Sequence, residues 1–347
     1  MRDIFSAHFS RYPNMRPQDA VKLVYQSVYG AGHLVSDPTE ASTRLKAEFV
    51  SSPSINIPLT EEIGESRVRL YLNSTQCLEK DLDLLAFLFT EGAKTPTVGP
   101  EAMDTPLAVL REMSAAGEAP FSCSELEEYL SQYDAAGRPM VSHTETYRAA
   151  YHPSYRVMEK ELLRLLPLFS AIEEKLLTGT SFTVAIDGMA AAGKSTLGTL
   201  LQKRYHCNLI HMDDFFLPPE LRTPDRFATP GGNVHHERFK AQVQTGLSTG
   251  KSFTYDLFDC HSMSYTSKLT VTPNTLTVIE GSYALHPSLR DFYDLKVFYP
   301  IDSKLQLERI LKRNGEECML RFRDRWIPLE NEYIAACGVK ECADFVL

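Results

Sequence analysis

Downstream of residue 180 the chain alternates between two hydrophobic rhythms. Ser181-Phe-Thr-Val-Ala-Ile-Asp187 is a short β-branched apolar run, the mark of a strand buried on both faces. Leu197, Leu200 and Leu201 then recur at helical spacing. Apolar runs return at 208–212, 276–280 and 295–299, and each predicts a strand. Helices are predicted over 236–247 and 303–313, and a last strand over 344–347. Such alternation builds a parallel sheet with helices on both faces.

Upstream the pattern is mostly helical. Pro17 suits a first helical turn, and Val21, Val24, Tyr25 and Val28 share one face behind it. Asp37-Pro38 reads as an N-cap with proline next, and Asp104-Thr-Pro106 opens a similar segment. Ser124-Glu-Leu-Glu127 has capping-box spacing ahead of Leu130. Residues 155–176 read as one amphipathic helix kinked or split at Pro167, and 67–72 alternate like a strand. The polar, glycine-containing stretch 177–181 marks a boundary. The expected organisation is a mainly α-helical domain over 1–177, followed over 178–347 by an α/β domain of P-loop NTPase type.

Composition narrows the partners. The net charge is −9, shared unevenly: residues 1–175 carry 17 Lys/Arg against 25 Asp/Glu, and the remainder 19 against 20. Neither half has the basic face of a nucleic-acid binder, so no nucleic acid is expected as partner. No apolar run is long enough to span a membrane, and the first residues carry too short an apolar segment for a signal peptide. Seven cysteines without metal-ligand spacing suit a reducing, cytoplasmic setting. The sequence leaves the oligomeric state open, a homo-oligomer included.

The candidate chemistry begins at Gly188-Met-Ala-Ala-Ala-Gly193-Lys194-Ser195, which fits G-x-x-x-x-G-K-[ST] between a predicted strand and a predicted helix. The glycines let the backbone turn tightly and aim successive amides at one point, beside the positive end of the helix dipole. The expected nucleoside-triphosphate site is therefore Gly188, Met189, Ala190, Ala191, Ala192, Gly193, Lys194, Ser195 and Thr196. Lys194 would reach the β- and γ-phosphates and the Ser195 hydroxyl would ligate Mg²⁺.

In such sheets ligands sit beyond the carboxyl ends of the strands. Two acidic positions fall there: Asp213, with Asp214 beside it, after the strand ending at Met212, and Glu280 at the end of the next strand. Phosphoryl transfer needs a cation on the phosphate oxygens and a carboxylate near the acceptor hydroxyl. Asp213 is the candidate base and a member of the metal shell; Glu280 is the second metal carboxylate.

Val184-Ala-Ile-Asp-Gly-Met-Ala-Ala-Ala-Gly-Lys-Ser-Thr196, His211-Met-Asp-Asp-Phe-Phe216 and Val278-Ile-Glu-Gly281 together resemble the uridine kinase family of P-loop kinases. Arg290-Asp-Phe-Tyr-Asp-Leu-Lys-Val-Phe298, followed by a helix carrying Arg309 and Arg313, extends the resemblance over about residues 180–347. It implies an enzyme that uses ATP and Mg²⁺ to phosphorylate a hydroxyl of a nucleoside-like small molecule, of uridine or cytidine type. By this similarity Asp213 corresponds to the catalytic base, Ser195 and Glu280 to magnesium neighbours, and Arg309 and Arg313 to lid arginines on the phosphates. Gly231-Gly-Asn-Val-His-His-Glu-Arg-Phe239 resembles the family's Asn-Phe-Asp-His-Pro segment, with His235 where the family has a ribose-binding aspartate. Tyr255-Asp-Leu-Phe-Asp-Cys-His261 resembles a Tyr-Asp segment whose downstream histidine falls one residue earlier in the family. His235, Tyr255 and His261 are thus the expected substrate contacts, and Gln306 stands near a family substrate-contacting arginine.

Two other classes fit the phosphate loop: a nucleotide-dependent switch or ATPase signalling through the helical domain, and a protein that holds nucleotide without reacting it. The first half carries no motif of comparable strength. Its densest polar segment, residues 143–156, either lines a polar pocket or packs an interface, and a second ligand site would use His33, His143 and Arg156.

Overall fold

The structure, a computed structural model, describes residues 1–32, 35–94, 98–260 and 262–347. The chain forms two compact units, Met1–Ser170 and Ala171–Leu347. The division falls inside the helix Leu166–Leu176, upstream of the polar stretch at 177–181. Of the expected kink or split at Pro167 the structure has the split: one short helix ends at Leu163, and Pro167 sits in the first turn of the next, where its missing N–H costs nothing.

The first unit combines helices with a three-stranded antiparallel sheet, β1 (Thr60–Glu62), β2 (Arg67–Tyr71) and β3 (Tyr155–Glu159), in the order β1-β2-β3. Strand β3 corrects the helix expected from residue 155. Its Tyr155, Val157 and Glu159 lie opposite Tyr71, Arg69 and Arg67 of β2, and aromatic and β-branched residues suit such a pleated surface. The helix begins only at Lys160. The capping box also lies two residues upstream of the expected one: Ser122 pairs reciprocally with Glu125, and the helix runs Cys123–Ala135.

Among its buried apolar side chains this unit holds a cluster of polar ones. Arg69, fully buried, donates to the amide oxygen of Gln26 at 2.8 Å and lies 3.4 Å from Oε2 of Glu61. Glu61 also accepts the hydroxyls of Tyr12 and Tyr71, each at 2.7 Å. His143 joins the other end, with Nδ1 2.9 Å from Asp19 and Nε2 2.6 Å from the Tyr155 hydroxyl. The aromatic and basic cluster read at 143–156 thus contributes to the unit's own core. Arg156 pairs with Glu48 at 2.6 Å, and His33 lies outside the described residues.

The second unit is a five-stranded parallel sheet in the order β10-β9-β4-β8-β5. Its strands are β4 (Phe182–Gly188), β5 (Asn208–His211), β8 (Leu276–Glu280), β9 (Leu295–Tyr299) and β10 (Phe345–Val346), as the hydrophobic runs predict. A separate antiparallel hairpin, β6 (Phe253–Asp259) and β7 (Ser264–Val271), has no counterpart in the expected elements. Helix over 236–248 is continuous but passes through a π-helical turn at Lys240–Gln244. Ala185, Ile210, Phe215, Val243, Ile279 and Phe298 meet in one apolar core. This is the expected α/β arrangement, a parallel sheet covered by helices. All seven cysteines are free, and no helix among the described residues is long and apolar enough to cross a membrane.

Candidate active site

Strands β4, β8 and β5 lie side by side and end at one edge of the sheet, which brings the phosphate loop, Glu280 and Asp213 together. At the end of β4 the backbone turns at Gly188 (φ 149°) and Gly193 (φ 119°), where a side chain would be strained. A Cβ at position 188 would meet the carbonyl oxygen of Tyr299 at 2.2 Å. Between the glycines Ala191 adopts φ 59°, a left-handed conformation that its Cβ disfavours. The helix Lys194–Tyr205 follows at once, so the amides of its first turn emerge at the loop without intrahelical acceptors.

Two later helices grip the loop. From Ser303–Asn314, Gln306 donates to the Ala190 carbonyl at 3.0 Å, and Arg309 reaches the carbonyls of Ala191 and Ala192 at 3.1 and 3.2 Å. From Ile327–Ala336, Glu330 accepts the Ala190 amide at 2.9 Å. Gln306 is therefore packed against the loop, where the resemblance suggests a substrate contact. Lys194 folds over the loop, its ammonium donating to the carbonyls of Gly188 and Met189 at 2.8 and 2.9 Å and to Ser282 Oγ at 3.3 Å.

Across from Lys194, the Ser195 hydroxyl donates to Oε2 of Glu280 at 3.1 Å. Oε1 of Glu280 lies 2.5 Å from Nδ1 of His211, and that contact raises the imidazole above its ordinary value. Ser195 and Glu280 thus offer hydroxyl and carboxylate oxygens in direct contact, the hard donor set that Mg²⁺ takes beside phosphate oxygens. Among the described residues no group of three or more His, Cys, Asp or Glu side chains is arranged to hold a metal.

Asp213 stands on the short turn Met212–Phe215 that closes β5. Desolvation in the crowded cleft, then the Glu280 charge, push its carboxyl above the usual range, while Lys194, His211 and Arg313 pull it back. Its side chain remains exposed at the surface. Asp214 turns the other way and accepts the hydroxyl of Tyr255. Tyr255 is 1% exposed and stacks on Phe215 at 5.3 Å, so it lies beneath the acidic pair, not on the cleft wall expected of a substrate contact. His235 opens the next helix, its amide donating to the Phe215 carbonyl at 2.7 Å, with its ring only partly exposed. Arg313 is exposed and bonds Asn314 at 2.7 Å. His261 lies outside the described residues.

Four groups at the site have no place in the sequence expectations. His211 had a legible signal, since it precedes the acidic pair on its strand. Asp187, buried, accepts the amides of Gly188, Tyr283 and Leu285 and the Tyr333 hydroxyl, tying the loop to the turn after β8. Ser282 and Glu330 bond each other at 2.8 Å, a contact over 48 residues that no spacing encodes.

No family model matches the chain, and neither does any curated protein. Solved structures do. A possible uridine kinase from Bacillus stearothermophilus is 21% identical, with 48% of this chain and 89% of that one covered and a TM-score of 0.38. A protein described as a fructose transport system kinase, from Silicibacter sp. TM1040, is 21% identical over 51% of this chain and 97% of its own, with a TM-score of 0.42. Shikimate kinase from Bacteroides thetaiotaomicron is 13% identical over 48% and 85%, with a TM-score of 0.25. These are likenesses to about half of the chain.

Proposed function

We propose that the second unit transfers the γ-phosphoryl group of ATP to a hydroxyl of a nucleoside-like small molecule. The observation that carries this reading is the convergence, at the carboxyl ends of neighbouring strands, of the Lys194 cradle, the Ser195–Glu280 pair and the exposed Asp213 carboxylate, whose charge interacts with Glu280 and Lys194.

The first-turn amides of the helix Lys194–Tyr205 and the Lys194 ammonium bind the phosphate tail. Ser195 and Glu280 would hold Mg²⁺, which would supply positive charge to the phosphate oxygens. Asp213 takes the proton of the acceptor hydroxyl as that oxygen attacks the γ-phosphorus, whose bond to the β–γ bridging oxygen breaks and releases ADP. Its raised carboxyl makes its ionised form a stronger proton acceptor than an ordinary aspartate. Arg309, already on the loop carbonyls, and Arg313, whose charge reaches Asp213, fit the transferring phosphate as paired cations.

The test is a panel of nucleosides, vitamin ribosides and small sugar acids incubated with MgATP and read by the mass of the phosphorylated product. ADP release that depends on one class of added alcohol supports the kinase. Equal release in water alone favours the switch, and no release with firm nucleotide binding favours the non-reacting binder.

A further inference from the structure

The phosphate loop has alanine where its backbone is most strained, and the fold compensates from a distance. Ala191 sits at φ 59° with no glycine to ease it. The peptide groups just before it are fixed on both sides, with the Ala190 amide given to Glu330 and the Ala190 carbonyl bonded by Gln306. Glu330 is 7% exposed and divides its oxygens: Oε2 takes the loop amide, and Oε1 takes the Ser282 hydroxyl at 2.8 Å. That hydroxyl in turn stands 3.3 Å from the Lys194 ammonium. A single carboxylate thus links the strained middle of the loop to the lysine at its end.

We propose that Glu330 is a positioning residue for nucleotide binding, a brace that fixes the Ala190 peptide and, through Ser282, the standing position of Lys194. The proposal rests on the nucleotide reading of the loop. Burial pushes the carboxyl above its usual range while Lys194 and the two hydrogen bonds pull it back, and those two bonds hold the side chain in place before any ligand arrives. A carboxylate so close to a triphosphate site has an obvious alternative role, that of an electrostatic gate repelling the phosphates. The two roles differ in sign. Truncating a brace weakens nucleotide binding, whereas truncating a gate strengthens it.

The experiment is calorimetric titration of the full chain with magnesium AMP-PNP, a non-hydrolysable ATP analogue, alongside thermal unfolding without ligand. Glu330→Ala strands the buried Ala190 amide and leaves the Ser282 hydroxyl only the Gly188 carbonyl at 3.3 Å, so the dissociation constant is expected to rise on the order of tenfold. Glu330→Gln keeps an oxygen for the Ala190 amide and a donor for Ser282, and should bind within about threefold of the parent. Ser282→Ala should weaken binding, and the double variant Glu330→Ala/Ser282→Ala should be no weaker than Glu330→Ala alone, since both act through one linkage. If Glu330→Ala does not fold, Glu330→Asp, one methylene too short to reach both partners, takes its place with a smaller loss expected. Unchanged or tighter binding by the folded Ala or Asp variant overturns the brace. A parent chain that does not bind AMP-PNP overturns the nucleotide reading itself, and the brace with it.

Discussion

The hydroxyl of Tyr255 donates to Oδ2 of Asp214 at 3.1 Å, and this separates two neighbouring aspartates into different trades. Asp214 is drawn down onto a buried aromatic, while Asp213 is left open to the cleft. Adjacent residues on a tight turn point apart, so one can anchor the turn and the other can meet a ligand.

Replacing Asp213 with asparagine tests the second trade. Loss of a general base typically costs about 10²–10⁴ in rate. Turnover with whichever alcohol is the acceptor should collapse by that order, while the melting shift induced by MgATP persists. Turnover close to the parent's would rule out Asp213 as the base.

Tyr255→Phe tests the first. It removes one hydrogen bond to a carboxylate that burial already disfavours, so stability should fall by about 1–2 kcal/mol. Chemical denaturation, with the slope unchanged and the midpoint lowered, is the measurement. Nucleotide affinity should hardly move.

The rate profile should have a displaced acid limb. Asp213 must be ionised to accept a proton, and its carboxyl is raised, so kcat/KM should begin to fall above the pH at which an ordinary aspartate titrates. Arg313 is one of the charges holding that value down. Arg313→Gln should therefore shift the limb to still higher pH, whatever it does to affinity. An acid limb at the same pH in both proteins would remove Arg313 from the electrostatics of the base.

The first unit should be acid-labile in a defined window. Burial above all lowers His8 and His143 to about 4, against an ordinary value of 6.5. Below 6.5 the unfolded chain takes up protons that the folded one refuses, so stability is full above that pH and is lost as pH falls toward 4. Each histidine contributes at most roughly 3 kcal/mol to that loss. Asp19 and Glu61, both held below the usual carboxylate range by their partners despite burial, continue the loss at lower pH. Hydrogen exchange at strand β2, corrected for the intrinsic rate, should show protection dropping between pH 7 and pH 5. Constant protection across that range would count against buried neutral histidines.

How much of this was legible depends on the range of the interaction. Strands β4, β5, β8 and β9 announced themselves because parallel strands covered on both faces must be apolar throughout. The phosphate loop was legible for a related reason, since its glycines and lysine act within eight residues of one another. Strand β3 was not, because Tyr155 and Val157 suit a helix face as well as a pleat, and only pairing with β2 decides between them. Hairpin β6–β7 was missed because β7 is exposed along most of its length and shows no apolar face. Ser122 and Ser124 each have a glutamate three residues on, and the structure uses the first pair. Glu330 lies 140 residues from the amide it accepts, so nothing local in the sequence marks it.

The closeness of Gly188 to the Tyr299 carbonyl has a mechanical meaning. The residue that begins the phosphate turn is also the last rung between two central strands, with no room for even a methyl group. Alanine there would pry β4 from β9 before any nucleotide came near. Hinge and seam are one object, and the price of widening the turn is a torn sheet.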